Sequence, residues 1–155
     1  MITFERKLII SGNIIEFFYY ELPIHKGLTS AAGNKSLLRS SALSDRTRFD
    51  NFNRTQTNLR RLINSNQNLR KFLTLTFAKN VKSLELANYE FKKFKQRLQR
   101  FTGYKPSYIA VIEFQKRGAV HYHCLFDLPY VPSERIAFLW GNGFIKINRL
   151  FSVDN

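Results

Sequence analysis

Cysteine is nearly absent from this chain: one residue, Cys124, in 155. That excludes an internal disulfide and gives no support to a cysteine-based zinc knuckle. Long apolar runs are missing too, so no segment approaches a membrane span. The start, Met-Ile-Thr-Phe-Glu-Arg-Lys, does not place its charge ahead of a long apolar block, so it lacks the layout of a secretion signal. The expectation is a cytoplasmic protein with no membrane partner. Acidic residues are scarce, 11 against 25 Lys and Arg, for a net charge of +14 and a pI near 10.2. An excess of this size is the footprint of a phosphate-binding surface. The bases are spread over several predicted elements rather than along one amphipathic helix, which favours nucleic acid over a membrane surface. Histidine is also rare, three residues in all, and two of them fall in one tripeptide.

What is plentiful is apolar and aromatic matter, 44% hydrophobic with fifteen Phe and seven Tyr, enough for one globular domain with its own core. Alternation predicts a hairpin first, Phe4 to Ile10 and Ile14 to Leu22 around Ser11-Gly12-Asn13, stopped by Pro23. The second arm is apolar on both faces, as in a covered strand. Residues 24 to 44 read as a flexible connector. A helix from Asp45 to about Asn64 carries Arg46, Arg48, Arg54, Arg60 and Arg61 on few apolar anchors. Such a helix is either an ordinary solvated one or one that orders against a partner such as DNA. Arg70 to Ala78 is a strand with Leu73, Leu75 and Phe77 on one face and Phe72, Thr74 and Thr76 on the other. Leu84, Ala87, Phe91, Phe94, Leu98 and Phe101 form one apolar stripe on a helix over 82–101, ended by Gly103. Ser133 is placed to cap a short helix, Glu134 to Trp140, before a last strand, Phe144 to Leu150.

The segment 106–128 lies between these and reads as two strands around Lys116-Arg117-Gly118, a three-residue loop with Gly118 left-handed. That loop sets Glu113 opposite His121, with Cβ atoms about 5 Å apart. His123 is two residues on and shares the face. One carboxylate and two imidazoles on one patch are ligand types for a divalent cation. Asp127 lies about 13 Å beyond His123 at about 3.3 Å per residue, so one metal is expected and Asp127 is not a ligand. Cys124 and Tyr122 fall on the opposite face.

The predicted order, β-β-α-β-α-β-β-α-β, implies an α+β fold: a central, mostly antiparallel sheet of five or slightly more strands, with helices mainly on one face. The domain is expected to span 1–155, as a hairpin (1–23), a connector (24–44) and a motif-bearing core (45–150).

Three features give the chain a resemblance to the HUH endonucleases, specifically the rolling-circle replication initiators of phages and plasmids. Phe72-Leu73-Thr74-Leu75-Thr76-Phe77 looks like that family's first motif. His121-Tyr122-His123 looks like the histidine-hydrophobe-histidine second motif. Glu113 is similar to the acidic third ligand of several members, and Trp140-Gly141-x-Gly143 also looks like phage-type members. The likeness covers about residues 46 to 150. It implies a ferredoxin- or RRM-like sheet and Mn2+ or Mg2+ on Glu113, His121 and His123. It also implies nicking and rejoining of single-stranded DNA at a replication origin, with a tyrosine forming a 5′-phosphotyrosyl link. Partners would be single-stranded or hairpin DNA and a host replication helicase or polymerase, in a prokaryotic cytoplasm.

One part of the pattern departs. The family's third motif, a tyrosine with a lysine a few residues on, lies downstream of the histidines, and no tyrosine follows Tyr130. Tyr19 and Tyr20 are upstream, in an apolar strand. A chain cut short before that helix is the expectation, one that binds metal and DNA without completing the nick. Candidate DNA contacts are Arg60, Arg61 and Lys71, Lys116 and Arg117 at the hairpin tip, and Thr74 and Thr76. Two other functions stay open: a non-catalytic, RRM-like nucleic-acid-binding module, for which Ala119 stands where a stacking aromatic is wanted, and a domain with a structural metal.

Overall fold

Each change of hydrophobic period in the chain coincides with a change of element. A computed structural model describes residues 2–26 and 41–151. Along these run β1 (Ile2–Ser11), β2 (Ile14–Lys26), α1 (Ser41–Asn64), β3 (Lys71–Thr76), α2 (Leu84–Thr102), β4 (Tyr108–Phe114), β5 (Val120–Phe126), α3 (Ser133–Trp140) and β6 (Ile145–Arg149). This is the expected order and an α+β fold. No helix among the described residues is long and apolar enough to cross a membrane. Contacts divide the chain into two compact units, 1–66 and 67–155, so α1 groups with the first hairpin and not with the motif-bearing strands.

In the first unit β1 and β2 pair only with each other, antiparallel. The central sheet is therefore four-stranded, not five. The two strands turn through Gly12-Asn13, with Gly12 at φ 59°. Pro23 does not stop β2, which runs to Lys26. The reason is a bulge: between the pairs Arg6↔Tyr19 and Phe4↔Ile24 the register shifts. Pro23 sits inside that interruption, where the ladder asks no N–H of it. Nor is the second arm covered on both faces. Ile15, Phe17 and Tyr19 are each about two-thirds exposed, because a two-stranded ribbon has one other element of its unit, α1, to pack on. That packing is fixed by Arg61, whose Nε and Nη2 donate to the two carboxylate oxygens of Glu16 and whose guanidinium lies over the Phe18 ring. The hydrogen bond from Arg61 holds the Glu16 carboxyl below the usual carboxylate range. Helix α1 starts at Ser41, ahead of the expected Asp45. Most of the predicted connector lies outside the described residues.

In the second unit the strand order is β4-β5-β3-β6, each neighbour antiparallel. The core is on one face only. Leu73, Leu75 and Phe77 from β3 and its end meet Tyr122, Cys124 and Phe126 from β5. Over them lie Ala87, Phe91, Phe94 and Leu98 of α2 and Ile136, Leu139 and Trp140 of α3. The ends of the α2 stripe, Leu84 and Phe101, are exposed. Ser83 caps α2 through its hydroxyl, which accepts from Leu86 N–H, and Gly103 ends it left-handed. Ser133 does not cap α3: Pro132 is the N-cap, and the Ser133 hydroxyl donates to Glu134 Oε1 instead. Tyr122 stacks on Phe91 at 4.6 Å and donates to Asn88 Oδ1 at 2.8 Å. Burial pushes the Tyr122 phenol and the Cys124 thiol each up to about 12.

The turn after α3 locks β6 beside β3. The Trp140 indole N–H donates to Thr76 O at 3.0 Å, and Ala78 N–H to Asn142 O at 2.9 Å. Arg97 closes the end of α3 by donating to Leu139 O and Trp140 O. Gly143, at φ 153°, lies so close that a Cβ there would come within 2.4 Å of Thr76 O and 2.5 Å of Ala78 N. Backbone atoms cannot step aside, so Gly143→Ala is expected to destabilise the protein by about 3 kcal/mol, read as a shifted urea midpoint. Cys124, a buried thiol rather than a thiolate, is expected to resist alkylation in the native protein at neutral pH and to react once urea unfolds it. Rapid native labelling would contradict the core described.

Candidate metal centre

The face of the four-stranded sheet away from its core carries the polar residues of the motif strands. The loop after β4 sets their register. Gly118 N–H donates to Gln115 O at 2.7 Å and Gln115 N–H to Ala119 O at 2.9 Å, with Gly118 at φ 84°. Glu113 then pairs with His121 and Val111 with His123, as expected. On the other side of β5, Thr76 pairs with His121 and Thr74 with His123. Two rows therefore cross the sheet: Glu113–His121–Thr76 and Val111–His123–Thr74.

Side chains draw the rows together. The Glu113 carboxylate reaches diagonally, and His123 Nε2 lies 2.8 Å from its Oε2. One donor atom from each of Glu113, His121 and His123 falls within 4.8 Å of the others, a spacing that fits three ligands around one divalent cation. Glu113 is exposed, and both histidines are partly covered. Each imidazole is also held from behind. Thr76 Oγ1 is 3.0 Å from His121 Nε2, and Thr74 Oγ1 is 3.4 Å from His123 Nδ1. Those contacts leave Nδ1 of His121 and Nε2 of His123 for a metal. Phe72 stacks on the His123 ring at 5.9 Å and 9°, which limits its rotation. Burial lowers the His121 pKa from its ordinary value, His123 lowers it further, and Glu113 works the other way. His121 is thus biased to the neutral form that a metal needs.

The model of a family described as replication-associated protein ORF2 matches residues 70–154, more than half of the chain. The chain belongs to that family. No curated protein and no solved structure is matched by it. The family match takes in β3, both strands of the histidine hairpin and β6, and it excludes β1, β2 and α1. It supports a role for this chain in the initiation of replication.

The remaining sequence-predicted residues scatter. Arg60 and Arg61 belong to the first unit, outside the family match, where both are drawn to Glu16. Lys71 shares the strand parity of Leu73 and Leu75 and lines a cavity with Leu128, Ile136 and Ile147 on the helix side, away from the histidines. Arg117 donates to Phe77 O at 2.7 Å and to Gln115 Oε1, so it braces the hairpin tip, while Lys116 is exposed. Asp127 accepts from Tyr104 and Asn68 and is not among the clustered ligands. The threonines were expected at DNA, yet their hydroxyls contact the histidines. Period-two alternation with the motif register was the signal for that pairing, but it needed the β3–β5 ladder to be known.

Removing the Thr76 hydroxyl by Thr76→Val is expected to weaken Mn2+ binding about 10-fold in calorimetry, with Thr76→Ser close to wild type, as for groups that orient a ligating histidine. His121, with a folded pKa below its unfolded value, contributes stability that is present above about pH 6.5 and is lost as pH falls through the lowered value. Urea unfolding at pH 8 and pH 5 checks this: the acid loss is expected to shrink in His121→Asn.

Proposed function

We propose that residues 67–155 form the phosphate-gripping half of a site that nicks single-stranded DNA at a replication origin. The single observation that carries this reading is the clustering of Glu113, His121 and His123 on the open face of a sheet in a chain of a replication-associated family. Those three residues would hold a divalent cation, Mn2+ or Mg2+, which when bound supplies Lewis-acid polarisation of a phosphate oxygen. The protein's own part is to keep the ligands in place: Thr74 and Thr76 aim the imidazoles, and Phe72 stacks against one of them. Exposure of Glu113 leaves the patch open to a strand of DNA.

In the proposed HUH-type reaction, a tyrosine oxygen attacks the scissile phosphorus. A P–O bond to tyrosine forms, the P–O3′ bond breaks, and the departing 3′ oxygen takes a proton. None of the described tyrosines of this unit serves. Tyr122 is buried on the opposite face, Tyr89 stands on α2, the helix packed on that same core side, with Lys93 over its ring, Tyr108 packs on Phe91 and Phe126, Tyr104 donates to Asp127, and Tyr130 lies in a Pro-flanked loop. The attacking group has to be delivered from elsewhere, and the patch itself binds rather than attacks. A purely structural metal fits less well, because the core of this unit lies on the other face of the sheet and does not rest on the ligands.

Mn2+ titrated into the protein is expected to give one site per chain by calorimetry, abolished in His121→Ala, with that variant still folded and melting cooperatively without metal. Equal heats from wild type and variant would remove the metal centre from the account, and unfolding on chelation would make the metal structural. Affinity for single-stranded DNA is expected to fall about 50-fold between about 50 and 200 mM salt, given about four neutralised phosphates and a slope of about 0.7 per phosphate.

A further inference from the structure

The last strand was read from the sequence as structure alone, yet its ladder with β3 gives it a place beside the metal ligands. Lys146 pairs with Thr74, and Thr74 pairs with His123. Residues directly opposite in an antiparallel ladder share a face. Lys146 therefore stands on the ligand face, one strand beyond Thr74. With neighbouring strands about 4.8 Å apart, its backbone lies about 10 Å from that of His123, and its flexible four-carbon stem leaves the ammonium free to approach whatever the ligands hold.

Phe144 extends the neighbouring row, Glu113–His121–Thr76. Thr76 N–H donates to Phe144 O at 2.9 Å, which extends the β3–β6 ladder by one residue and puts Phe144, two before Lys146, next to Thr76. It is 69% exposed, although a ring of that size is ordinarily buried. No helix of this unit covers the face, since α2 and α3 both pack into the core on the other side.

Among the described residues, Lys146 is the one cation of the four strands on the ligand face, since Lys71 and Arg149 have the opposite parity. Lys79, Lys82, Lys92, Lys105 and Lys116 are likewise exposed without a bonded partner, but they lie on loops or on α2. Other cations of this unit are engaged. Arg97 is bound to carbonyls of α3, Arg117 to Phe77 O, Lys95 lies against Tyr108, and Arg149 and Arg135 lie over phenylalanine rings. Lys71 lies on the helix side. Lys146 is exposed and, among the described residues, makes no hydrogen bond or ion pair. A dication on one carboxylate and two neutral imidazoles carries a formal charge of about +1 in all, enough for a single phosphodiester. A strand crossing the sheet brings further phosphates, and these need cations of their own.

We infer that Phe144 and Lys146 form a second contact line for single-stranded DNA, with Lys146 holding a backbone phosphate on the β6 side of the metal and Phe144 stacking under a base. A lysine and an exposed aromatic side by side are the two elements that sequence-tolerant single-strand binding requires. The inference rests on the proposed function, and it gives the bound strand a direction: across the sheet, from the Glu113 edge toward β6.

Both side chains are exposed, so Lys146→Gln and Phe144→Ala are expected to melt like wild type. Fluorescence anisotropy with labelled oligo(dT) over a salt series, with Mn2+ calorimetry alongside, tests the pair. Lys146→Gln is expected to weaken binding about 5-fold at low salt and to lower the log–log salt slope by about 0.7, with Lys146→Arg close to wild type. Phe144→Ala is expected to lose about 10-fold with the salt slope unchanged. Mn2+ affinity stays at the wild-type value in all three. If wild type binds both Mn2+ and oligo(dT) while the variants match it in affinity and slope, the β6 contact line is overturned and the proposed function stands. If wild type binds neither ligand, both fall together.

Discussion

Because β5 is hydrogen-bonded on both sides, to β4 and to β3, His121 and His123 cannot move by one residue without exchanging faces with Tyr122 and Cys124. That slip would drive two imidazoles into the core and expose a ring stacked on Phe91. The chemistry of the open face is thus guarded by the packing of the closed one. The same logic holds for β3, whose Leu73 and Leu75 are fully buried, so Thr74 and Thr76 are pinned behind the histidines.

The turn at Trp140–Gly143 ties this sheet to its helices. Trp140 is buried, yet its indole N–H finds the Thr76 carbonyl, at the end of the strand that carries both threonines. Gly143 lets the chain pass against Thr76–Ala78 with no room for a side chain. A tryptophan and a glycine that bear no chemistry therefore help fix the position of residues that do, and they bring β6 into register beside them.

Charge is distributed less freely than a net +14 suggests. Several cations are engaged with carbonyls, carboxylates or aromatic faces, and those fix structure: Arg97 finishes α3, Arg117 braces the hairpin loop, and Arg61 joins α1 to β2. For nucleic-acid binding the useful cation is one whose partner is missing in the folded chain. Composition counts both kinds alike.

Local rules carried the sequence a long way. Period-two alternation and one glycine in a three-residue loop determined that Glu113 faces His121 and that His123 shares their side. The apolar stripe determined which side of α2 is buried, and the order of elements implied α+β. Other features had no local cause. That β1 and β2 pair only with each other, leaving four strands in the main sheet, depends on which edges meet. That Lys71 points to the helices, that the threonine hydroxyls serve the imidazoles, and that Lys146 and Phe144 border the ligands all depend on pairing between strands distant in sequence. A strand's own sequence sets which residues share its face, but its neighbour is chosen by the packing of the whole unit. Glu113, His121 and His123 could be grouped because one short loop joins them, and the residues around them were decided by the tertiary fold.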